Sequence, residues 1–204
     1  SSDPTANRGS QRVMRYEPNA TSPNIIGGYQ GNTATGVVGA VIAGGGDSAN
    51  INTITGGGAY SAIGGGRDNY SSGAAGSIGG GDSNRIQNAF AAIGGGQFNT
   101  AVATWGTIAG GNRNTVSNTW GAIGGGQHNA VTSIAAWGVV AGGQADTVTA
   151  PWSSILGGQS NYVSGSRSMI GRGQSNRIIT PWSAISGGQG NTISGSWSSV
   201  GSGE

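Results

Sequence analysis

The chain has 204 residues, of which 44 are Gly, 8% are charged and none is Cys, and its formal net charge is +2. Without Cys there is no disulfide framework and no thiolate metal site, and no apolar run approaches the roughly 18–20 residues of a membrane span. The nine basic residues are all Arg and are scattered along the chain, which argues against the clustered stripe of a nucleic-acid surface.

Residues 1–24 differ from the rest. They carry Arg8, Arg12 and Arg15 with Asp3 and Glu17, and two prolines, Pro18 and Pro23, near their C-terminal end. The stretch 12–17 reads as one short strand. A polar, proline-bearing lead-in of this kind suits the first open edge of a stacked β fold, which must be covered.

From residue 25 glycines cluster at intervals, which rules out the every-third-residue pattern of collagen. Ile25-Ile26-Gly27-Gly28 with Asn32 opens an irregular coil, and Ile42-Ala43-Gly44-Gly45-Gly46 opens another. The step from Ile42 to Ile63 is 21 residues, which predicts a loop protruding around Ala49 to Ala59. Beyond Ile63 the phrase Ile-Gly-Gly-Gly-x-x-Asn recurs, and eight of the nine steps from Ile63 to Val200 are 15 residues. The exception, Ile123 to Val140, is 17 residues and places a small bulge between Asn129 and Trp137. A period this strict defines a repeat array, so the fold question is what one 15-residue unit does.

Counting the opening Ile or Val as position one, each place in the unit has its own chemistry. Positions one and nine carry β-branched residues in most units, which predicts two short strands facing across a thin core. Glycine runs in every unit exclude a helix. Position four is always Gly, at Gly66, Gly81, Gly96 and Gly126 among others, as a tight turn with positive φ requires. Position seven is Asn in eight of nine units: Asn69, Asn84, Asn99, Asn114, Asn129, Asn161, Asn176 and Asn191. Those side chains can bond the turn backbone and stack as a ladder. The departure is Asp146, which has no donor, so a local change is expected there. Position five, mostly Gln, is a second ladder.

All six Trp of the chain fall at position thirteen, at Trp105, Trp120, Trp137, Trp152, Trp182 and Trp197, joined there by Tyr60 and Phe90. Ala75 and Arg167 are the exceptions. If side chains alternate along a strand running from position thirteen to position one, positions thirteen and fifteen point outward and position fourteen, always Gly, Ala or Ser, points in. The aromatics then form an outward stripe, one per rung, about 4.8 Å apart. Such a patch is larger than soluble monomers expose, so another chain covers it or it binds something. On that reading Arg167 interrupts the stripe, where a seam between chains opens to water or meets a neighbour's acid.

Residues that carry catalysis are nearly absent. His128, the only His, stands at a variable turn position. Asp68 and Asp82 occupy different places in their units, so no carboxylate column or paired-acid site forms. Asp47, Asp68 and Asp82 lack the repeated pattern of calcium-binding rolls. The Gly runs have no Lys and no following helix, which removes a phosphate-cradling loop. Thr100, Thr115, Thr147 and Thr192 at position eight are interrupted by Tyr, Arg and Ala, which disfavours an ice-binding face. The chain reads as neither an enzyme nor a cofactor protein.

The phrase Ile93-Gly94-Gly95-Gly96-Gln97-Phe98-Asn99, running through Trp105 to Thr107, resembles the YadA-like head repeats of trimeric autotransporter adhesins. Arg15-Tyr16-Glu17-Pro18-Asn19, with Ser22-Pro23-Asn24 and Ile26-Gly27-Gly28, resembles the module that precedes such arrays in bacterial or phage fibre proteins. The resemblance spans roughly residues 25–204. It implies an all-β, left-handed parallel β-roll in a homotrimer, with roles in adhesion or fibre building. Trp stands here where such repeats often carry Tyr, and no neck, stalk or membrane anchor is visible.

These readings combine into a lead-in at 1–24 and a roll at 25–204, irregular over 25–62, regular over 63–199, with an unfinished coil at 200–204. The expected function is a structural or adhesive segment of a trimeric extracellular fibre, at a cell or virion surface. Its expected partner is itself, with a host-surface protein or glycan as a further ligand, and neither nucleic acid nor direct membrane insertion is expected. The alternatives are a receptor- or carbohydrate-binding part of a phage-type tail fibre, with the Trp column as sugar platform, and a self-assembling filament subunit, suggested by the unfinished coil. Recognition is expected where the repeat breaks: Ala49 to Ala59, near Ser133, and around Arg167 and Arg172.

Overall fold

A computed structural model describes residues 14–203. Among these residues there is no helix, and the chain is a parallel β-solenoid of short strands in two sheets. In a regular coil one strand is the pair at positions fifteen and one, such as Ala92–Ile93, and the other is the pair at eight and nine, such as Thr100–Ala101. Each strand pairs in parallel with its counterpart one coil away, so Ile93 lies between Ile78 and Ile108. The ladder bonds run coil to coil: Ala92 N–H donates to Gly106 O at 2.9 Å, and Thr100 N–H to Asn114 O at 2.9 Å.

The core is one line of side chains from each sheet. Ile63, Ile78, Ile93, Ile108 and Ile123 from position one face Ile86, Val116 and Val131 from position nine, all buried. Ala101 and Ser71 fill position nine in two coils and are equally buried. Two β-branched side chains per coil exclude water from a narrow interior, and the remaining stabilisation comes from neighbouring coils satisfying each other's backbone.

At the N-terminal end, β1 (Met14–Glu17) runs antiparallel to β2 (Asn24–Gly27), pairing Tyr16 with Ile25. It lies over the outer edge of the first sheet, and the expected strand over 12–17 is therefore Met14–Glu17 in its described part; Arg12 and Val13, like Asp3 and Arg8, lie outside the described residues. The array continues through β3 (Thr33–Thr35), β4 (Val41–Ile42) and β5 (Thr53–Thr55).

The loop expected at Ala49 to Ala59 is not one excursion. Thr53–Thr55 lies in the ladder, with Thr53 beside Tyr70 and Ile54 beside Ser71. The six extra residues of this coil divide between two turns, four between Gly45 and Asn52 and two between Thr55 and Tyr60. The first turn is closed by Asp47, whose Oδ1 accepts the N–H groups of Ala49 and Asn50 at 2.8 and 2.9 Å. Spacing alone located the surplus, but Asn52-Thr53-Ile54, a good copy of positions seven to nine, divides it. The two extra residues near Ser133 do form a small bulge, with Ile134 70% exposed at its tip.

Asparagine at position seven is buried and holds the turn. Asn99 Nδ2 donates to Gly95 O of its own coil at 3.1 Å and to Gly111 O of the next at 2.8 Å, while its Oδ1 accepts Asn114 N–H at 3.0 Å. The same pattern recurs at Asn69, Asn84, Asn114, Asn129, Asn161, Asn176 and Asn191. It begins earlier than the regular repeat, at Asn32 and Asn52.

At Asp146 the ladder keeps its acceptor half and loses its side-chain donor, while Asp146 N–H still donates to Asn129 Oδ1 at 2.9 Å. Asp146 Oδ1 accepts the backbone and side-chain N–H groups of Asn161 at 2.8 and 3.0 Å. Oδ2 stands where an amide nitrogen stands in other coils, and it is buried without a partner. Burial pushes this carboxyl above its ordinary range, against the lowering effect of the Asn161 bonds.

Candidate binding surface

The position-four glycines have φ between +78° and +115° from Gly66 to Gly188, beyond the left-handed region open to L-residues. A Cβ on Gly96 would collide with the Gly111 carbonyl and lie 2.8 Å from the Asn99 amide nitrogen. Backbone conformation and the close approach of the next coil therefore both demand glycine.

Two further positions per coil also have positive φ. Position six, from Asp68 to Ser175, holds φ of 54–58°. Position thirteen holds φ of 52–64° from Ala75 to Trp197, with Tyr60 at 59°. These values fit the small left-handed well, which residues without a branched Cβ enter at a cost of roughly 1–2 kcal/mol. The conformation turns the amide backward: Phe98 N–H donates to Asp82 O, and Trp105 N–H to Ala89 O, both on the preceding coil.

Position thirteen is thus a turn residue and not part of a strand. The side chains do point outward, as strand alternation would have them, but the cause is the turn. Only positions fifteen and one are paired as strand, and the aromatic side chains leave the coil at its corner because of their left-handed backbone.

Trp105, Trp120, Trp137, Trp152, Trp182 and Trp197 are 41–75% exposed, with Tyr60 and Phe90 beside them in that class. The rings stack face to face in four pairs, with a break between Trp120 and Trp137 at the longer coil. Phe90 and Trp105 are 4.2 Å apart between centroids, Trp105 and Trp120 5.1 Å, Trp137 and Trp152 5.2 Å, and Trp182 and Trp197 4.9 Å. All four pairs are within 8° of parallel. The rung spacing fits aromatic stacking, so the rings cover one another's faces and turn their edges outward.

Arg167 does not interrupt this column. Its guanidinium lies between two indoles, 4.7 Å from the Trp152 ring and 4.8 Å from the Trp182 ring. A planar cation replaces an aromatic ring as a rung of the same stack. Among the described residues the ion pairs are Arg15–Glu17 and Arg67–Asp82, and no acid pairs with Arg167. By its charge Arg167 looks like a gap in the column; by its planarity it is a rung.

Behind the last part of the column runs a polar ladder that sequence reading missed. Position fourteen changes from Gly or Ala to Ser in the last coils. Ser168 N–H donates to Ser153 Oγ at 3.3 Å and Ser183 N–H to Ser168 Oγ at 3.1 Å. Its sequence signal is the succession Ser153, Ser168, Ser183 and Ser198, in which small size and a bonding hydroxyl look alike. The position-five side chains form an exposed ladder in part, with Asn112 donating to Gln97 at 3.2 Å and Gln144 to Gln127 at 3.4 Å.

On the outer face of the second sheet the Arg85 guanidinium lies 4.2 Å from the Tyr70 ring, and Arg177 lies 4.5 Å from the Tyr162 ring. His128 sits at position six, on the turn opposite the column. Among the described residues no three His, Asp or Glu gather as a metal site. No family model matches the chain, and no curated protein matches it.

Proposed function

We propose that this chain is a structural or adhesive segment of a trimeric extracellular fibre, built as a left-handed β-roll, in which the aromatic columns of three parallel chains meet around a shared axis. The observation that carries this reading is the exposed stack itself. A column one ring wide, set at a corner of the coil, suits convergence on an axis better than a flat face-to-face contact. Indole edges and stems left in water would gain apolar burial there, up to about 3 kcal/mol for each fully buried aromatic. The mostly small residues at position fifteen on the same side, Ala92, Ala122, Ser154 and Ala184, let backbones approach.

The resemblance to YadA-like head repeats supports the same assembly, and a self-saturated coil stack suits a rigid spacer. A carbohydrate platform, the alternative, fits less well, since sugars stack on open ring faces and most ring faces of this column are covered by a neighbour. A host-surface protein or glycan enters the proposal only as a ligand of the finished trimer, on extracellular, cell-surface or virion-surface fibres. Sedimentation equilibrium tests the assembly: a mass of three chains is expected, and a monomer at micromolar concentration overturns the reading.

A further inference from the structure

The single charged rung of the column has a consequence for an assembly built on it. In a parallel three-fold assembly each residue on the axis meets its own copies at its own height. The remaining rungs from Phe90 to Trp197 place three aromatic edges together, but the Arg167 rung places three guanidinium edges together. Their faces are closed on one side by Trp152 and on the other by Trp182, at 4.7 and 4.8 Å. The outward edge of each carries the N–H fork that matches an oxyanion. Among the described residues no carboxylate pairs with it, since the ion pairs are formed by Arg15 with Glu17 and by Arg67 with Asp82. Three like charges in a site walled by indoles repel strongly, because water is scarce to screen them.

We propose that the Arg167 rung is an oxyanion site on the trimer axis, where a phosphate-, sulfate- or carboxylate-class anion is held by three guanidinium forks between two layers of indole. This rests on the seam reading of the column. The anion neutralises the one repulsive rung and accepts the N–H groups that no protein acid satisfies. The stack fixes each guanidinium plane beforehand, so little side-chain freedom is lost on binding. A neutral rung would need no ligand, which makes the site specific to this coil.

The test compares the wild-type chain with Arg167→Trp, which completes the aromatic column, in chloride and in inorganic phosphate at equal ionic strength. Sedimentation and thermal unfolding are read together. The expected result is a trimer for both proteins, with phosphate raising the wild-type melting temperature by about 2–4 °C more than that of the variant. Equal shifts in two trimers overturn the anion site and leave the seam standing. Monomers in every buffer overturn the seam and the site with it. Should Arg167→Trp not fold, Arg167→Gln, planar and uncharged, takes its place in the same comparison.

Discussion

A single turn contains two left-handed residues with opposite demands. Gly126 has φ +88° and His128 has φ +58°. At Gly126 a Cβ would collide with the Gly143 carbonyl and lie 2.7 Å from the Asn129 amide nitrogen; His128 faces solvent within the allowed well. Gly126→Ala is therefore expected to cost at least about 2 kcal/mol, combining backbone strain with overpacking. His128→Gly should change stability by no more than about 1 kcal/mol, because relief of the left-handed residue offsets the freer unfolded chain. Urea unfolding of the two variants checks this, and equal losses would show that the turn does not distinguish its positions. Asp146 gives a second residue-scale expectation. Its folded carboxyl is raised by burial, so the folded state holds the proton more tightly than the unfolded chain. That contribution is full below the unfolded value and is lost as pH rises through the raised folded value. Asp146→Asn restores the missing donor and should stabilise the protein at neutral pH by about 1–3 kcal/mol. The gain should shrink on acidification, where the wild-type carboxyl is protonated and can itself donate. A variant with the same advantage at all pH values would refute the ionised, unpartnered oxygen.

At the scale of the coil, stability is shared between neighbours. Asn99 serves three backbone groups on two coils, Gly95 O of its own and Gly111 O and Asn114 N–H of the next. Asn99→Leu leaves all three buried without that partner, at about 1–3 kcal/mol for each group not recovered by relaxation. The damage should be local, because each coil contacts only those beside it. Hydrogen exchange should therefore quicken at Asn114 and Thr115 while amides near Ile178 keep their protection; uniform loss would mean the array unfolds as one unit. The same locality explains what could be read from the sequence. The strands, the position-four turn and the Asn ladder repeat with one chemistry per position, and a period exposes them. Besides the Arg167 rung and the serine ladder, the left-handed turns and the division of the surplus residues escaped. The left-handed state of positions six and thirteen leaves only a negative mark, the absence of Val, Ile and Thr from Asp68 to Ser175 and from Ala75 to Trp197, and an absence is harder to read than a recurring residue. The division of the six extra residues around Thr53–Thr55 depends on where a degenerate copy rejoins the ladder, and counting from Ile42 to Ile63 averages that away.

For the molecule as a whole, the column decides between a spacer that holds its own copies and a surface that holds something else. Changing Trp105, Trp120, Trp152 and Trp182 together to Ser removes four rings but no backbone hydrogen bond, because each residue enters the ladder through its amide. Serine occupies the left-handed state at Ser83, Ser160 and Ser175 already, with φ of 57–58°, so the turn conformation is retained. The coils should therefore still form, and circular dichroism should remain that of a β protein without helix. What should be lost is association: sedimentation is expected to show folded monomers in place of the proposed trimer. The loss should exceed anything obtained by removing Arg85 or Arg177, whose cation–π contacts lie within one chain on the second sheet. A stable trimer in the four-serine variant would place the column in solvent. The recognition role would then pass to it, and binding of sugars along the exposed Trp column, read on a glycan array with the parent chain, would be the measurement to make next.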